Sequence, residues 1–371
     1  MKVAFRWFGR EDDSVSLEHI RQIPGIDGVV GALFDIPVGE VWPEDRIMEL
    51  KEEINRNGMS LEVIESVNIH EDIKLGLPSR EKYIENYKQT IRNLAKAGVK
   101  VICYNFMPIF DWTRSDLAKE LPDGSTVLAY EKGKIESIEP MALIEQMENL
   151  SNGYSLPGWE PERLKSIKYL FQLYKDVTEE DLFNHLQYFL EQIIPVAEEC
   201  DIKMAIHPDD PPWSVFGLPR IVLSKENLDR IIKLVDSPSN GLTICTGSLG
   251  ANPNNDIPDI LRHFLKKERV PFVHIRNIKI AENGDFEETS HRSTENGTLD
   301  LYEIVKALHD YEFKGYFRPD HGRMIWGEKA RPGYGLYDRA LGIMYILGIW
   351  DSLEKGEGIK QKGEDKNVAF N

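Results

Sequence analysis

Four short apolar stretches in the second half of the chain each carry, at or near their end, a side chain that can bind a divalent metal ion. The stretches are KMAIH, GLTIC, PFVHIRN and GYFRPD, and the side chains are those of His207, Cys245, His274 and Asp320. Imidazole, thiolate and carboxylate groups together suit zinc, iron(II), manganese or cobalt. These residues are therefore a candidate metal set, and their chemistry leaves the identity of the metal open.

The coincidence of four such residues carries this prediction. A single His or Cys at the end of a strand is more often a packed core residue than a ligand. If the four stretches are neighbouring parallel strands, about 4.8 Å apart, their carboxyl ends can bring the four side chains to one ion. The metal interpretation thus depends on the number and order of the strands.

Two titratable residues lie close to this set in the sequence. His321 directly follows Asp320, and an extended strand would point the two side chains in different directions unless it had already ended. We assign metal binding to Asp320 and proton transfer to His321. Tyr334, in the turn RPGYGLYD, can fold back from the loop after the last strand, either as a catalytic group or as a packing residue.

Other predicted strand ends and the segments after them are also polar, which a core alone does not require. Several guanidinium groups near a metal suggest an anionic substrate, most simply a carboxylate. For any single Arg, a structural ion pair is the alternative. The candidate substrate-binding residues are Arg6, Asn105, Arg276, Asn277, His291, Arg318 and Arg323.

Eight short apolar runs alternate with amphipathic segments, which is typical of parallel strands joined by crossover helices. This pattern predicts an α/β fold, a (β/α)8 TIM barrel, whose active site lies at the carboxyl ends of the strands. The predicted strands are Val3 to Phe8, Gly28 to Phe34, Leu61 to Val67, Val99 to Phe106, Lys203 to His207, Gly241 to Cys245, Pro271 to Asn277 and Gly315 to Asp320. Gly58 and Gly98 are predicted to end two of the helices.

The chain is longer than a plain barrel of about 250 residues requires. Most of the surplus lies after the fourth strand, in residues 107–175, which are rich in Pro, Gly and Trp. We predict a cap over the active site there, with a surface decoration as the alternative. Residues 1–352 are then one catalytic domain, and the charged residues 353–371 are a solvated C-terminal tail.

Charge and composition exclude several classes of protein. The 371 residues carry 45 Lys and Arg against 62 Asp and Glu, a net charge of −17, so neither nucleic acid nor a membrane is an expected partner. Three cysteines do not form a disulfide framework, and no signal sequence opens the chain, so we predict a cytoplasmic protein. No nucleotide-binding, zincin or serine-hydrolase motif is present. A homodimer is the expected assembly.

Several long motifs resemble those of the metal-dependent mannonate dehydratase family, a relative of the xylose isomerase-like barrels. They extend through most of the chain, and AIHPDDPP and RPDHGR are the most specific. The others are FRWFG, VIESVNIHEDIK, ICYNFMPIFDWTRSDL, FGLPRI, HIRN and PGYGLYDRALG.

The resemblance implies dehydration of D-mannonate to 2-keto-3-deoxy-D-gluconate in hexuronate breakdown. It implies Mn²⁺ or Fe²⁺ on the four residues selected above, and His321 and Tyr334 as the acid–base pair, without saying which is the base. The main alternative is a metal-dependent sugar isomerase or epimerase. A barrel endonuclease acting on DNA conflicts with the acidic charge, and a non-catalytic sugar-acid binding protein is a further alternative.

Overall fold

The eight predicted strands form the wall of a closed parallel barrel. The computed structural model describes residues 1–151, 153–154, 166–292 and 296–368. The barrel strands are β1 (Lys2–Arg6), β2 (Gly28–Gly31), β3 (Ser60–Glu65), β4 (Val101–Tyr104), β7 (Lys203–Ile206), β8 (Asn240–Cys245), β9 (Phe272–Ile275) and β12 (Tyr316–Pro319). Around the barrel each strand pairs in parallel with its neighbours in chain order, and β12 closes on β1. The predicted TIM barrel is confirmed.

Alternate residues of these strands fill the interior of the barrel. Small and β-branched side chains dominate there, together with one aromatic ring, as expected for a packed core rather than a pore. The interior cluster consists of Ala4, Val30, Val63, Val101, Cys103, Ala205 and Phe272. The opposite faces of the strands pack against the surrounding helices, so the strands are buried on both faces and read as continuous apolar runs.

The helices begin and end where local chemistry favours it. Their bounds are α1 (Leu17–Ile20), α2 (Glu44–Arg56), α3 (Glu71–Lys74), α4 (Arg80–Lys96), α5 (Lys132–Ser137), α6 (Pro140–Leu150), α7 (Ile167–Tyr174), α8 (Glu179–Glu199), α9 (Lys225–Leu234), α10 (Thr246–Gly250), α11 (Ile257–Leu265), α12 (Leu301–Asp310) and α13 (Tyr337–Val368). Thr178 and Asp181 form a capping box at the start of α8. Gly58 and Gly98 follow α2 and α4 with φ of +76° and +81°, as predicted for C-terminal caps.

A second, antiparallel sheet lies outside the barrel and combines two distant parts of the chain. Its strands are β5 (Asp116–Glu120), β6 (Thr126–Tyr130), β10 (Asn277–Ile280) and β11 (Phe286–Thr289), in the order β10-β11-β6-β5. β5 and β6 belong to the predicted insertion, whereas β10 and β11 follow the seventh barrel strand. The surplus length therefore builds one sheet from two segments, and residues 152 and 155–165 of the insertion lie outside the described residues.

A buried ionic cluster fastens both ends of the insertion to the barrel. Lys74 donates to Glu71 at 2.9 Å and to the Met107 carbonyl at 2.7 Å. Tyr174, at the far end of the insertion, donates its hydroxyl proton to Glu71 Oε2 at 2.6 Å. Because a buried charge must be compensated, each group in this cluster depends on the others. The two ends of the insertion are thus held at the same short helix, α3.

The last helix, α13, extends beyond residue 352, the predicted end of the catalytic domain. It continues to Val368, so most of the segment predicted as a solvated tail belongs to the same helix, and residues 369–371 lie outside the described part of the chain. Within the described residues, no helix combines the length and the apolar character needed to cross a membrane.

The Tyr174 hydroxyl should contribute measurably to stability. Tyr174→Phe removes a hydrogen bond to a buried carboxylate, which is worth about 1.5–3 kcal/mol. We expect the free energy of unfolding in urea to fall by that amount. Tyr169→Phe on the same helix is the control, because Tyr169 is 62% exposed and a change there should stay within about 0.5 kcal/mol. Equal effects of the two substitutions would contradict the proposed anchoring.

Candidate active site

The four predicted metal ligands meet at the carboxyl ends of adjacent barrel strands. His207 follows β7, Cys245 ends β8, His274 lies in β9 and Asp320 follows β12. The ligand atoms of the two histidines and the cysteine all lie within 4.8 Å of one another, with 3.1 Å between His207 Nε2 and His274 Nδ1. Asp320 Oδ2 lies 3.2 Å from Cys245 Sγ. The structure therefore brings together all four side chains that the strand-end pattern selected.

Each histidine presents one ring nitrogen to this cluster and uses the other elsewhere. His207 Nδ1 lies 2.7 Å from the Pro208 carbonyl oxygen, which accepts its proton and leaves Nε2 as the ligand atom. His274 Nε2 lies 3.3 Å from Glu65 Oε2, which leaves Nδ1 toward the cluster. Outer partners of this kind fix the tautomer of metal-binding histidines. The donor set therefore fits a divalent transition metal.

A second group of possible ligands, Glu65, Cys103 and His274, lies deeper in the barrel. Arg318 donates two hydrogen bonds to the Glu65 carboxylate, at 2.8 and 2.9 Å. The guanidinium group already supplies the positive charge that this carboxylate needs, and burial raises the pKa of the Cys103 thiol. We therefore interpret this group as outer support for His274 rather than as a second metal site.

His321 and Tyr334 form a buried pair beside the ligand cluster. β12 ends at Pro319, so the strand alternation that would have separated Asp320 from His321 no longer applies, and both side chains line one cavity. His321 Nε2 lies 3.0 Å from the Tyr334 hydroxyl. Burial raises the pKa of Tyr334 above its usual value, so the hydroxyl stays protonated at neutral pH.

The loop that carries Tyr334 depends on a glycine. Gly333 has φ of +80°, and its carbonyl accepts a hydrogen bond from the Gly322 amide at 2.9 Å. A Cβ atom at this position would lie 2.8 Å from the Leu128 side chain. The PGYG turn can therefore fold back onto the barrel because its second residue lacks a side chain.

His321 is held on its other side by Glu288, a residue that the sequence did not single out. Its Nδ1 lies 2.6 Å from Glu288 Oε1. Glu288 belongs to strand β11 of the outer sheet and also accepts from Arg114 and Arg276, each at 3.1 Å. Glu288 lies neither at the end of a predicted barrel strand nor in one of the motifs, so no signal in the sequence pointed to it. It reaches His321 because the β10–β11 hairpin carries it there.

Two arginines and two aspartates complete the charge network. Arg114 binds Asp210 through two hydrogen bonds at 2.8 and 2.9 Å, and Arg276 donates to Asp210 at 2.8 Å and to Asp320 at 2.7 Å. All four side chains are buried. Burial opposes the charged form of Asp320, but His321 and Arg318 hold the pKa of Asp320 well below its usual value. Asp210 belongs to the motif AIHPDDPP, so that motif could have identified it as a site residue from the sequence.

Of the predicted substrate-binding residues, three line the cavity above the ligand cluster, one lies behind it and three lie elsewhere. Arg6, Asn105 and Arg318 line the cavity above the ligand cluster, together with Ser66 and Trp112. Arg276 lies behind that cavity, and its guanidinium group donates to three carboxylates and to the Ser248 hydroxyl.

The other three predicted substrate-binding residues, Asn277, His291 and Arg323, are not among the residues that line this cavity. Asn277 binds the backbone at Ile278 and Leu299, and His291 Nε2 lies 2.9 Å from the Ile275 carbonyl oxygen. Arg323 is paired with Asp338 and Asp123. The chain after β9 turns into the outer sheet at Asn277, so a position just after that strand no longer implies a place at the mouth of the barrel.

The sequence profile of the family described as D-mannonate dehydratase (UxuA) matches residues 1–360. The chain belongs to this family. It is 74% identical over 364 residues to the mannonate dehydratase of Geobacillus thermodenitrificans, covering 98% of each chain. It is 63% identical over 355 residues to that of Thermotoga neapolitana, covering 96% of this chain and 98% of the relative.

Solved structures agree with this assignment. The crystal structure of mannonate dehydratase from Streptococcus suis serotype 2 is 46% identical, with a TM-score of 0.87 and 96% of each chain covered. The 3-keto-D-glucoside 4-epimerase YcjR from E. coli, at 14% identity and a TM-score of 0.53, covers 94% of this chain and shares the fold alone. The family is one of hydro-lyases, and the reaction of this chain is loss of water from D-mannonate to give 2-keto-3-deoxy-D-gluconate.

Asp210 should make stability depend on pH in the acid range. Burial opposes its charge, but Arg114 and Arg276 lower the pKa of Asp210 in the folded protein below the unfolded value of about 3.9. Its contribution is therefore fully present above that value and is lost as the pH falls through the folded pKa.

Asp210→Asn should consequently flatten the pH dependence of the free energy of unfolding at pH values below about 4. Urea titrations at stepped pH measure the two slopes. The variant should also be less stable at neutral pH, by about 3–5 kcal/mol, because two buried arginines lose a partner. Identical slopes in both proteins would contradict the role given to Asp210.

Proposed function

We propose that His207, Cys245, His274 and Asp320 bind the catalytic metal ion of this dehydratase, as Mn²⁺ or Fe²⁺. The proposal is supported by the convergence of these four side chains and by the outer partners that free one nitrogen of each histidine. When bound, such an ion holds substrate oxygens and stabilises the negative charge that develops beside the carboxylate. The remaining chemistry belongs to the side chains around it.

Arg6 is the residue best suited to meet the substrate carboxylate. Unlike Arg318 and Arg276, it has no carboxylate partner among the described residues, and the only hydrogen bond of its guanidinium group there is a long one, 3.4 Å, to the Val30 carbonyl. Its guanidinium group lies 4.7 Å from the Phe8 ring centre and 5.2 Å from that of Phe34. Burial lowers the pKa of Arg6 to about 10, so it stays charged at neutral pH.

The sizes of two adjoining cavities indicate how the sugar acid is oriented. The cavity above the ligand cluster has a volume of about 50 Å³, room for roughly four water molecules, which is too small for a whole six-carbon acid. A neighbouring cavity of about 780 Å³ shares Arg6 and Ser66 with it and is lined further by Phe34, His70 and Tyr83. We place the reacting carbons in the small cavity and the distal hydroxyl groups in the large one.

His321 is the proposed base and Tyr334 the proposed acid. Glu288 accepts the Nδ1 proton of His321, which leaves Nε2 free to take the proton from C2. Tyr334, kept protonated by burial, gives its proton to the C3 hydroxyl as the C–O bond breaks and water leaves. The resulting enol rearranges to the 2-keto acid.

The short contact between the pair also resets the enzyme. After one turnover, the proposed assignment leaves a proton on His321 Nε2 and a phenolate at Tyr334. The 3.0 Å separation allows that proton to return directly to the tyrosine oxygen. Both groups then regain their starting forms without exchange with bulk solvent.

Substitution of a ligand and of the acid should have separable effects. His207→Ala should lose bound metal, whereas Tyr334→Phe should retain metal and lose turnover by about 10²–10⁴-fold. Elemental analysis of protein purified without chelator, and formation of the 2-keto-3-deoxy acid from D-mannonate with added manganese or iron, measure the two effects. Near-normal kcat in Tyr334→Phe would rule out its assigned role.

Arg6→Met should weaken substrate binding without loss of metal. Removal of a charged hydrogen bond worth about 1.5–3 kcal/mol predicts a decrease in kcat/KM of about 10- to 100-fold. Arg10→Met is a suitable control, because Arg10 is exposed and pairs with Glu53 at the surface. If both variants kept the wild-type kcat/KM, Arg6 would not be the carboxylate-binding residue.

Assembly and location complete the proposal. We propose that the protein acts as a homodimer in the cytoplasm. Light scattering coupled to size-exclusion chromatography gives the mass in solution against the 42.6 kDa of one chain.

A further inference from the structure

We infer that Glu288 is a positioning residue for the reaction, which fixes the tautomer and orientation of His321 from outside the barrel. This inference rests on the proposed role of His321 in proton transfer. It goes beyond that role because it assigns a function to the outer sheet, whose strand β11 supplies the carboxylate. Nothing in the barrel itself supplies an acceptor for His321 Nδ1 among the described residues.

The contacts of Glu288 are concentrated on one atom. Oε1 accepts from His321 Nδ1 at 2.6 Å, from Arg114 at 3.1 Å and from Arg276 at 3.1 Å. Oε2 has no hydrogen-bond partner within the described part of the chain. The two guanidinium groups therefore fix the position of Oε1, and Oε1 in turn fixes the position of the imidazole ring.

A carboxylate at this position also determines which tautomer His321 adopts. As an acceptor only, it requires the Nδ1–H form of a neutral imidazole and leaves Nε2 unprotonated toward Tyr334. It also stabilises the imidazolium ion that forms when Nε2 takes a proton, as a buried Asp does for the histidine of a serine protease. An amide in its place can donate to Nδ1 and so favour the opposite tautomer.

The outer sheet fixes this arrangement through both of its segments. β11 pairs with β6, with Phe286 opposite Tyr130 and Glu287 opposite Ala129. The insertion that contains β6 also supplies Arg114 and the Trp112 ring, which lies 6.4 Å from the His321 ring. The orientation of His321 thus depends on two segments, neither of which supplies a metal ligand.

Glu288→Gln tests the inference directly. We expect kcat to fall about 10²–10⁴-fold, the range for loss of general acid–base catalysis, while KM and bound metal stay within about two-fold. Glu287→Gln is the matched control, because Glu287 is the adjacent residue of β11 and pairs with Lys119 at the surface. We expect wild-type kinetics from Glu287→Gln. A kcat of Glu288→Gln within two-fold of wild type would overturn the inference.

The tautomer of His321 provides a test that needs no change at Glu288. Nitrogen-15 NMR of histidine-labelled, zinc-loaded protein distinguishes a protonated Nδ1 from a protonated Nε2, and the His321 signals are assigned by their loss in His321→Gln. We expect protonated Nδ1 and bare Nε2 at neutral pH in the wild type. The reverse pattern would overturn the inference even if Glu288→Gln failed to fold.

The same variants separate this inference from the proposed function. Turnover that survives in His321→Gln would refute the proton-transfer role and the inference with it. An inactive His321→Gln beside a fully active Glu288→Gln would refute the role of Glu288 alone.

Discussion

The active end of this barrel depends on compensation of charge at Asp320. Its carboxylate lies 3.2 Å from the Cys245 sulfur and accepts a hydrogen bond from Arg276, while Arg318 approaches its other oxygen at 3.0 Å. Taking a carboxylate out of water costs several kcal/mol unless such partners are in place. The same arginines bind Glu65, Asp210 and Glu288, so the ligand cluster, the support for His274 and the support for His321 belong to one electrostatic unit.

This arrangement explains how a strongly acidic chain can bind an anion. The net charge of −17 describes the whole sequence, but the potential in a buried cavity is set by the few charges around it. There, Arg276 and Arg318 are matched by carboxylates, and Arg6 is left without one among the described residues. A bound divalent ion would add to that local excess of positive charge, which is what a sugar acid requires.

The barrel could be predicted from the sequence, and so could the convergence of the four proposed ligands, because both follow from a local rule. Strands appear as apolar runs, and the carboxyl ends of parallel strands meet at one end of a barrel, so His207, Cys245 and His274 could be placed together without coordinates. The rule failed where the chain leaves the barrel. Asn277 begins a strand of the outer sheet, so its position just after an apolar run no longer implies a place at the mouth.

Glu288 could not be found in this way, because its position depends on pairing between segments more than a hundred residues apart. The same pairing has a consequence for protein engineering. A minimal barrel made by excising residues 107–175 would keep every proposed metal ligand and both proposed proton-transfer groups. It would nevertheless lose Arg114, the strand β6 that pairs with β11, and the Trp112 ring beside His321. Such a truncated barrel would retain the proposed reaction centre, but the insertion would no longer help to hold Glu288 and the His321 ring in position.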